Sequence, residues 1–134
     1  MKLEQDVEFI INHFEGLIKF NQSHIEEAEA KLQKNFCHHF PWVGEDLYMW
    51  NFRNDHYKAI CQDLKEQNSV DMVISEWKAR LEQYISSTYN VRENSTGTLH
   101  RETSTWKFIA SMKLLEDLRN ITKYIDNQEV TKIK

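Results

Sequence analysis

The chain reads as a mainly α domain, four to five helices in a bundle-like arrangement, on three observations. Apolar residues recur at steps of three and four along most of its length. Turn formers are scarce, with three glycines and one proline in 134 residues, whereas all-β folds spend such residues on their turns. Hydrophobic residues at 40% and charged residues at 28% fit a folded chain with a well-solvated surface, long enough to bury a core.

The first stripe runs through Leu3, Val7, Ile10, Ile11, Phe14, Leu17, Ile18, Ile25, Ala28 and Leu32. Glu15 before Lys19 and Glu27 before Lys31 add acid-then-base pairs at i,i+4. The stripe turns polar near Asn21, and Ser23 with Glu26 has the spacing of a capping box. These signs predict a break near Asn21 and a second helix from Ser23. The segment from Asn35 to Gly44 reads as a connection, because Pro41 disfavours helical dihedrals at Phe40.

A further helix is expected from Glu45 and Asp46, acids suited to a first turn, with Leu47, Trp50, Tyr57, Ile60, Cys61 and Leu64 inward. Alternating aromatics at Tyr48, Trp50 and Phe52 leave a short strand as the alternative there. Ser69 is a good N-cap for the clearest helix, whose inner face is Val70, Val73, Ile74, Trp77, Leu81, Tyr84, Ile85 and Thr88. The polar stretch from Asn90 to Thr103 reads as a long loop or as a small β-hairpin within 88–102. Ser104 would cap the last helix, with Trp106, Ile109, Ala110, Leu114, Leu118, Ile121 and Ile125 inward. Residues 1–126 are thus expected to form one helical domain and 127–134 a frayed tail. Trp50, Tyr57, Trp77 and Trp106 are the expected core aromatics.

Composition excludes several functions. The net charge is −4, and the acids concentrate before residue 68. An acidic half argues against direct binding of duplex nucleic acid, which needs a basic stripe. It suits a protein partner with a basic surface. The acidic start lacks the apolar centre of a signal peptide, and no apolar run reaches membrane-spanning length. Cys37 and Cys61 read as reduced thiols, and the expected compartment is the cytoplasm with no membrane association.

No phosphate-binding loop, nucleophile elbow or His-Glu-x-x-His motif is present. No glutamate precedes a histidine by three, which di-iron bundles require. The spacings Arg53–His56 and Arg92–His100 do not match the Arg–His pair of HEPN-type RNases. The sequence therefore predicts no catalytic residue, no cofactor and no metal, and a non-enzymatic role. One alternative is a metal-supported enzyme using Cys37, His38, His39 and His56, although their spacing departs from common zinc sites. Another is a single-stranded RNA binder that stacks bases on aromatics, provided Lys107, Lys113, Arg119 and Lys123 share a face.

The run from Phe36 to Tyr57 holds seven aromatic residues, three of the six histidines and the only proline. Aromatics beside an arginine are the residue types that dominate protein-binding hot spots. The predicted contact surface is Glu26, Glu27, Glu29, Phe40, Trp42, Glu45, Asp46, Tyr48, Phe52 and Arg53. The predicted role is that of a small stoichiometric inhibitor or regulator of a basic nucleic-acid-acting complex, in the manner of anti-CRISPRs, antitoxins and immunity proteins.

Overall fold

Four α-helices make up the structure: α1 (Lys2–Lys34), α2 (Phe36–Gln67), α3 (Val70–Asn94) and α4 (Thr98–Ile133). In this computed structural model the backbone is described for residues 2–67, 69–94 and 98–133, and the side chains for 7–67, 69–88 and 102–123. Pairings such as Phe14 with Tyr57 and His24 with Trp50 show α1 and α2 running antiparallel. Asp63 meets Trp77 across α2 and α3, and Lys78 meets Thr122 across α3 and α4. The α1–α2 and α3–α4 hairpins pack together chiefly through α2, whose Tyr57 meets Asp117 of α4, while α1 and α4 only flank an open groove lined by Phe9, His13, Asp117 and Ile121. One cluster of buried residues draws on all four helices, including Ile10, Phe14, Tyr57, Leu64, Val73, Leu81, Leu114 and Leu118. Among the described residues no helix is long and apolar enough to cross a membrane.

The expected break near Asn21 does not occur. The polar interruption of the stripe is a buried amide pair: Asn21 donates to Asn54 Oδ1 at 3.0 Å, and Asn54 donates to the Ile18 carbonyl at 3.2 Å. Ser23 is not a cap; its hydroxyl donates back to the Phe20 carbonyl within the helix. A polar residue inside an apolar stripe can therefore mean a satisfied buried pair rather than an end.

The expected connection at 35–44 is also helical. Asn35 is the whole link, and its side chain accepts the His38 N–H at 3.1 Å, the reach of an N-cap to the third helical residue. Pro41 sits inside α2, so the carbonyl four residues before it, on Cys37, receives no backbone donor from the proline. Both residues are exposed, so water can serve that carbonyl. The strand alternative at 48–52 fails for the same reason, since those residues lie within α2.

The hairpin alternative within 88–102 fails as well. α3 continues to Asn94 and α4 begins at Thr98, ahead of Ser104, and among the described residues there is no strand. Among the described residues the helices number four, without a fifth. The tail expected at 127–134 falls where side chains lie outside the described residues; α4 is assigned to Ile133. Trp77 and Tyr57 are core residues, whereas Trp50 and Trp106 are only half-buried. Trp106 stands outside the core cluster, and its indole meets Tyr48 of α2.

Two stability outcomes follow from this packing. Gly16 lies mid-helix with no atom near the position of an added Cβ. Gly16→Ala should raise stability by about 0.5–1 kcal/mol through helix propensity, measurable as a higher midpoint in urea. Asn54→Ala removes both partners of the buried Asn21–Ile18 network and should cost about 2 kcal/mol. The same urea titration checks it, and an unchanged midpoint would show that the amide pair contributes nothing.

Candidate protein-binding groove on α2

Phe36, Phe40, Gly44, Tyr48, Phe52 and His56 follow one another at intervals of four along α2. On a helix such residues form a ridge of touching neighbours. Phe36 stacks on Phe40 with ring centroids 5.1 Å apart, Tyr48 on Phe52 at 6.0 Å, and Phe52 on His56 at 4.2 Å. Gly44 is the gap in the ridge. A Cβ there would stand 3.0–3.3 Å from three atoms of the Phe40 ring, so the absent side chain lets that ring lie close over the helix. At its inner end the ridge joins the core, where His56 meets Trp77 and Tyr84 edge-on. The His56 Nδ1 lies 2.8 Å from the Phe52 carbonyl, which fixes that nitrogen as the protonated donor.

α4 supplies the facing wall. The Trp106 ring lies 5.8 Å from Tyr48 and tilted to it by 52°. Together Phe40, Gly44, Leu47, Tyr48, Asn51, Phe52, Asp55 and Trp106 line an open groove of about 420 Å³. Its walls are mostly aromatic side chains, with one carboxylate and one amide at the rim. Burial pushes the Tyr48 hydroxyl above its ordinary pKa, so it is a neutral phenol at physiological pH.

The predicted contact residues are distributed unevenly around this groove. Phe40, Tyr48 and Phe52 are brought together in it. Trp42, 78% exposed, is not, because two positions along a helix turn a side chain about 200° away from Phe40. Glu45 and Asp46 are exposed on α2, and Glu26, Glu27 and Glu29 are exposed on α1. Glu27 lies 3.9 Å from Lys31. No residue from 29 to 43 is buried, so the hairpin tip carries its aromatics to solvent on both sides.

Arg53 is placed elsewhere. Its guanidinium reaches across to α4, donating to Asp117 Oδ2 at 3.2 Å and to the Tyr57 hydroxyl at 2.9 Å, while Tyr57 donates to the same carboxylate at 2.6 Å. Burial opposes the charge on Arg53, but Tyr57 and Asp117 outweigh it and raise its pKa. Burial, with help from Asp117, raises the Tyr57 pKa far above the tyrosine norm. This triad ties α2 to α4 beneath a second groove lined by Phe9, His13, Asp117, Asn120 and Ile121.

The donors of the metal alternative do not converge. Cys37, His38 and His39 lie at the start of α2, and His56 is 17 residues beyond His39 on the same helix, about 25 Å at 1.5 Å per residue. Among the described residues no three His, Cys, Asp or Glu side chains stand where they could hold one metal ion. The cations of the RNA alternative do not share a face either, since Lys107 is drawn inward over the Tyr84 ring at 4.8 Å. Cys61 is buried, and burial followed by the nearby Glu15 pushes its thiol up to about 11, which keeps it protonated and unreactive near neutral pH.

Residues of the groove that the sequence reading misses are Gly44, Leu47, Asn51, Asp55 and Trp106. The four-residue spacing on α2 is the available signal for the first four, once Pro41 is allowed inside a helix. Trp106 comes from another helix, and nothing local announces it.

The alkaline response follows from Cys61 and Tyr57. Each has a folded pKa above its ordinary value, 9.0 for cysteine and 10.0 for tyrosine. A group raised in this way contributes stability that is fully present below the unfolded pKa and is lost as pH rises through the folded one. Melting temperature should therefore fall above pH 9. Cys61→Ala should flatten the fall between pH 9 and about 11, whatever its offset at neutral pH; equal slopes for the two proteins would contradict this.

No protein-family model matches the chain, and no curated protein or solved structure is significantly similar to it.

Proposed function

We propose that the protein is a non-catalytic, cytoplasmic protein-binding module that acts by stoichiometric contact. The partner is a protein with a basic surface, and the concrete reading is a small inhibitor or regulator of a basic nucleic-acid-acting complex, of the anti-CRISPR, antitoxin or immunity-protein type. The observation that carries it is the aromatic groove on α2 with Phe36, Phe40 and Trp42 exposed at the hairpin tip. Large aromatics left open to water at one end of a small domain cost solvation unless a partner covers them.

The acids support the choice of partner. Glu26, Glu29, Glu45 and Asp46 surround the same hairpin and are exposed, so their field attracts a cationic surface before contact. A phosphate backbone would be repelled. A channel that normally holds nucleic acid is the commonest protein surface with the opposite sign.

Charge and aromatics should leave separate marks on binding. The partner can be isolated from the native host by capture on the purified protein, and its binding then followed kinetically. Reversing Glu26, Glu27 and Glu29 to lysine should slow association and flatten its salt dependence. Trp42→Ala should instead speed dissociation, by an amount worth about 2 kcal/mol, with the circular dichroism spectrum unchanged because the side chain is exposed. A captured protein that binds wild type and both variants alike would remove the hairpin from the interface.

A further inference from the structure

We infer that the groove between α2 and α4 receives a cationic side chain, an arginine of the partner protein. This deepens the protein-binding reading and rests on it. The groove wall contains the rings of Phe40, Tyr48, Phe52 and Trp106, whose faces carry the negative lobe of the aromatic quadrupole. Asp55 stands at the rim, exposed and without an ion pair among the described residues. Asn51 donates its amide N–H to the Leu47 carbonyl at 2.9 Å, which leaves its side-chain oxygen to accept.

Among the described residues no lysine or arginine lines the groove, and two neighbouring cations are engaged elsewhere. Arg53, one residue from Phe52, is held by Asp117 on another face of α2, and Lys107, one residue from Trp106, lies over Tyr84. The result is a concave surface of aromatic rings with acceptors at one edge and no positive charge among its described lining residues. An arginine fits this better than a lysine. Its planar guanidinium can stack on a ring and still present a fork of donors to a carboxylate, whereas an ammonium is a compact, strongly hydrated charge. The volume of about 420 Å³ also leaves room for the aliphatic stem against Leu47.

The test uses the full chain and needs no identified partner. A blocked Gly-Arg-Gly peptide is titrated while the indole N–H resonance of Trp106 is followed by NMR. The arginine peptide should give a saturable shift in the millimolar range. The same peptide with citrulline, which keeps the shape and loses the charge, should bind at least about tenfold more weakly. Asp55→Asn is a surface change that should leave the fold intact and weaken the arginine peptide several-fold. Equal shifts from the arginine and citrulline peptides, or no shift from either, would overturn the inference without recourse to any variant. Spermidine that saturates the site as tightly as the peptide would overturn a protein arginine as the occupant. If the arginine peptide fails while partner capture still depends on Phe40 and Trp42, the docking reading stands and the arginine falls. Arginine-selective binding by a protein whose capture ignores those residues would leave the groove and remove the docking reading.

Discussion

Asn21 and Asn54 meet inside the α1–α2 interface, and the rest of the molecule takes its register from them. Two amides removed from water in an apolar seam are tolerated only when their donors and acceptors are paired, here with each other and with the Ile18 carbonyl. Sliding α1 against α2 by one turn would separate them and leave at least two polar groups unsatisfied. The pairings that follow, Phe14 with Tyr57 on one side and His24 with Trp50 on the other, hold only in that register. Tyr57 in turn presents its hydroxyl and Arg53 to Asp117, so the same register positions α4. Once α4 is placed, Trp106 stands opposite Tyr48 and the groove exists.

The α2 ridge resolves a question that looks binary from the sequence, whether the aromatic run is core or surface. On a helix of 3.6 residues per turn, a step of four advances about 40° around the axis. Five such steps from Phe36 to His56 turn the ridge through about 200°. A row that starts facing solvent must therefore end facing the opposite way. Phe36 is 57% exposed, Phe52 is half-buried against the core, and His56 lies between Trp77 and Tyr84. The groove occupies the middle of that winding, where rings are fixed on one side by the core and open on the other. Rings held in this way lose little freedom when a ligand covers them.

Much of the fold was legible because stripes with helical period dominate the chain. The inward face of α3 was read residue by residue, from Val70 to Thr88, and every side chain on it is buried or half-buried. The failures come from reading a local signal without its surroundings. Asn21 looked like an end because its buried partner is 33 residues away. Pro41 looked like a stop because the exposure that makes its missing hydrogen bond tolerable is invisible in the sequence. Asn35, the actual start signal, is the first residue of the expected connection. The site was less legible than the fold. Phe40, Tyr48 and Phe52 stand out in the sequence as aromatics off the predicted stripe, but the α4 stripe puts Trp106 in the core, and nothing near Arg53 in the sequence points to Asp117.

The separation of Trp42 from the groove changes what kind of contact α2 can make. With Phe40 and Trp42 about 200° apart on one helix, no flat partner surface can cover both. Covering both requires a concave partner that encloses the hairpin tip, and a lone convex ridge would touch only one. Asn35 makes this tip narrow, since it joins α1 to α2 with a single residue outside the helices. A narrow tip with aromatics on both flanks and carboxylates behind it is shaped to enter a cleft, whereas a broad bundle face is shaped to lie against a plane. The cleft most in keeping with those carboxylates is a cationic one, and its basic side chains would pass the groove as the tip enters. The geometry of α2 thus links the two proposals, an acidic hairpin drawn into a basic channel and an aromatic groove that would receive one of that partner's arginines.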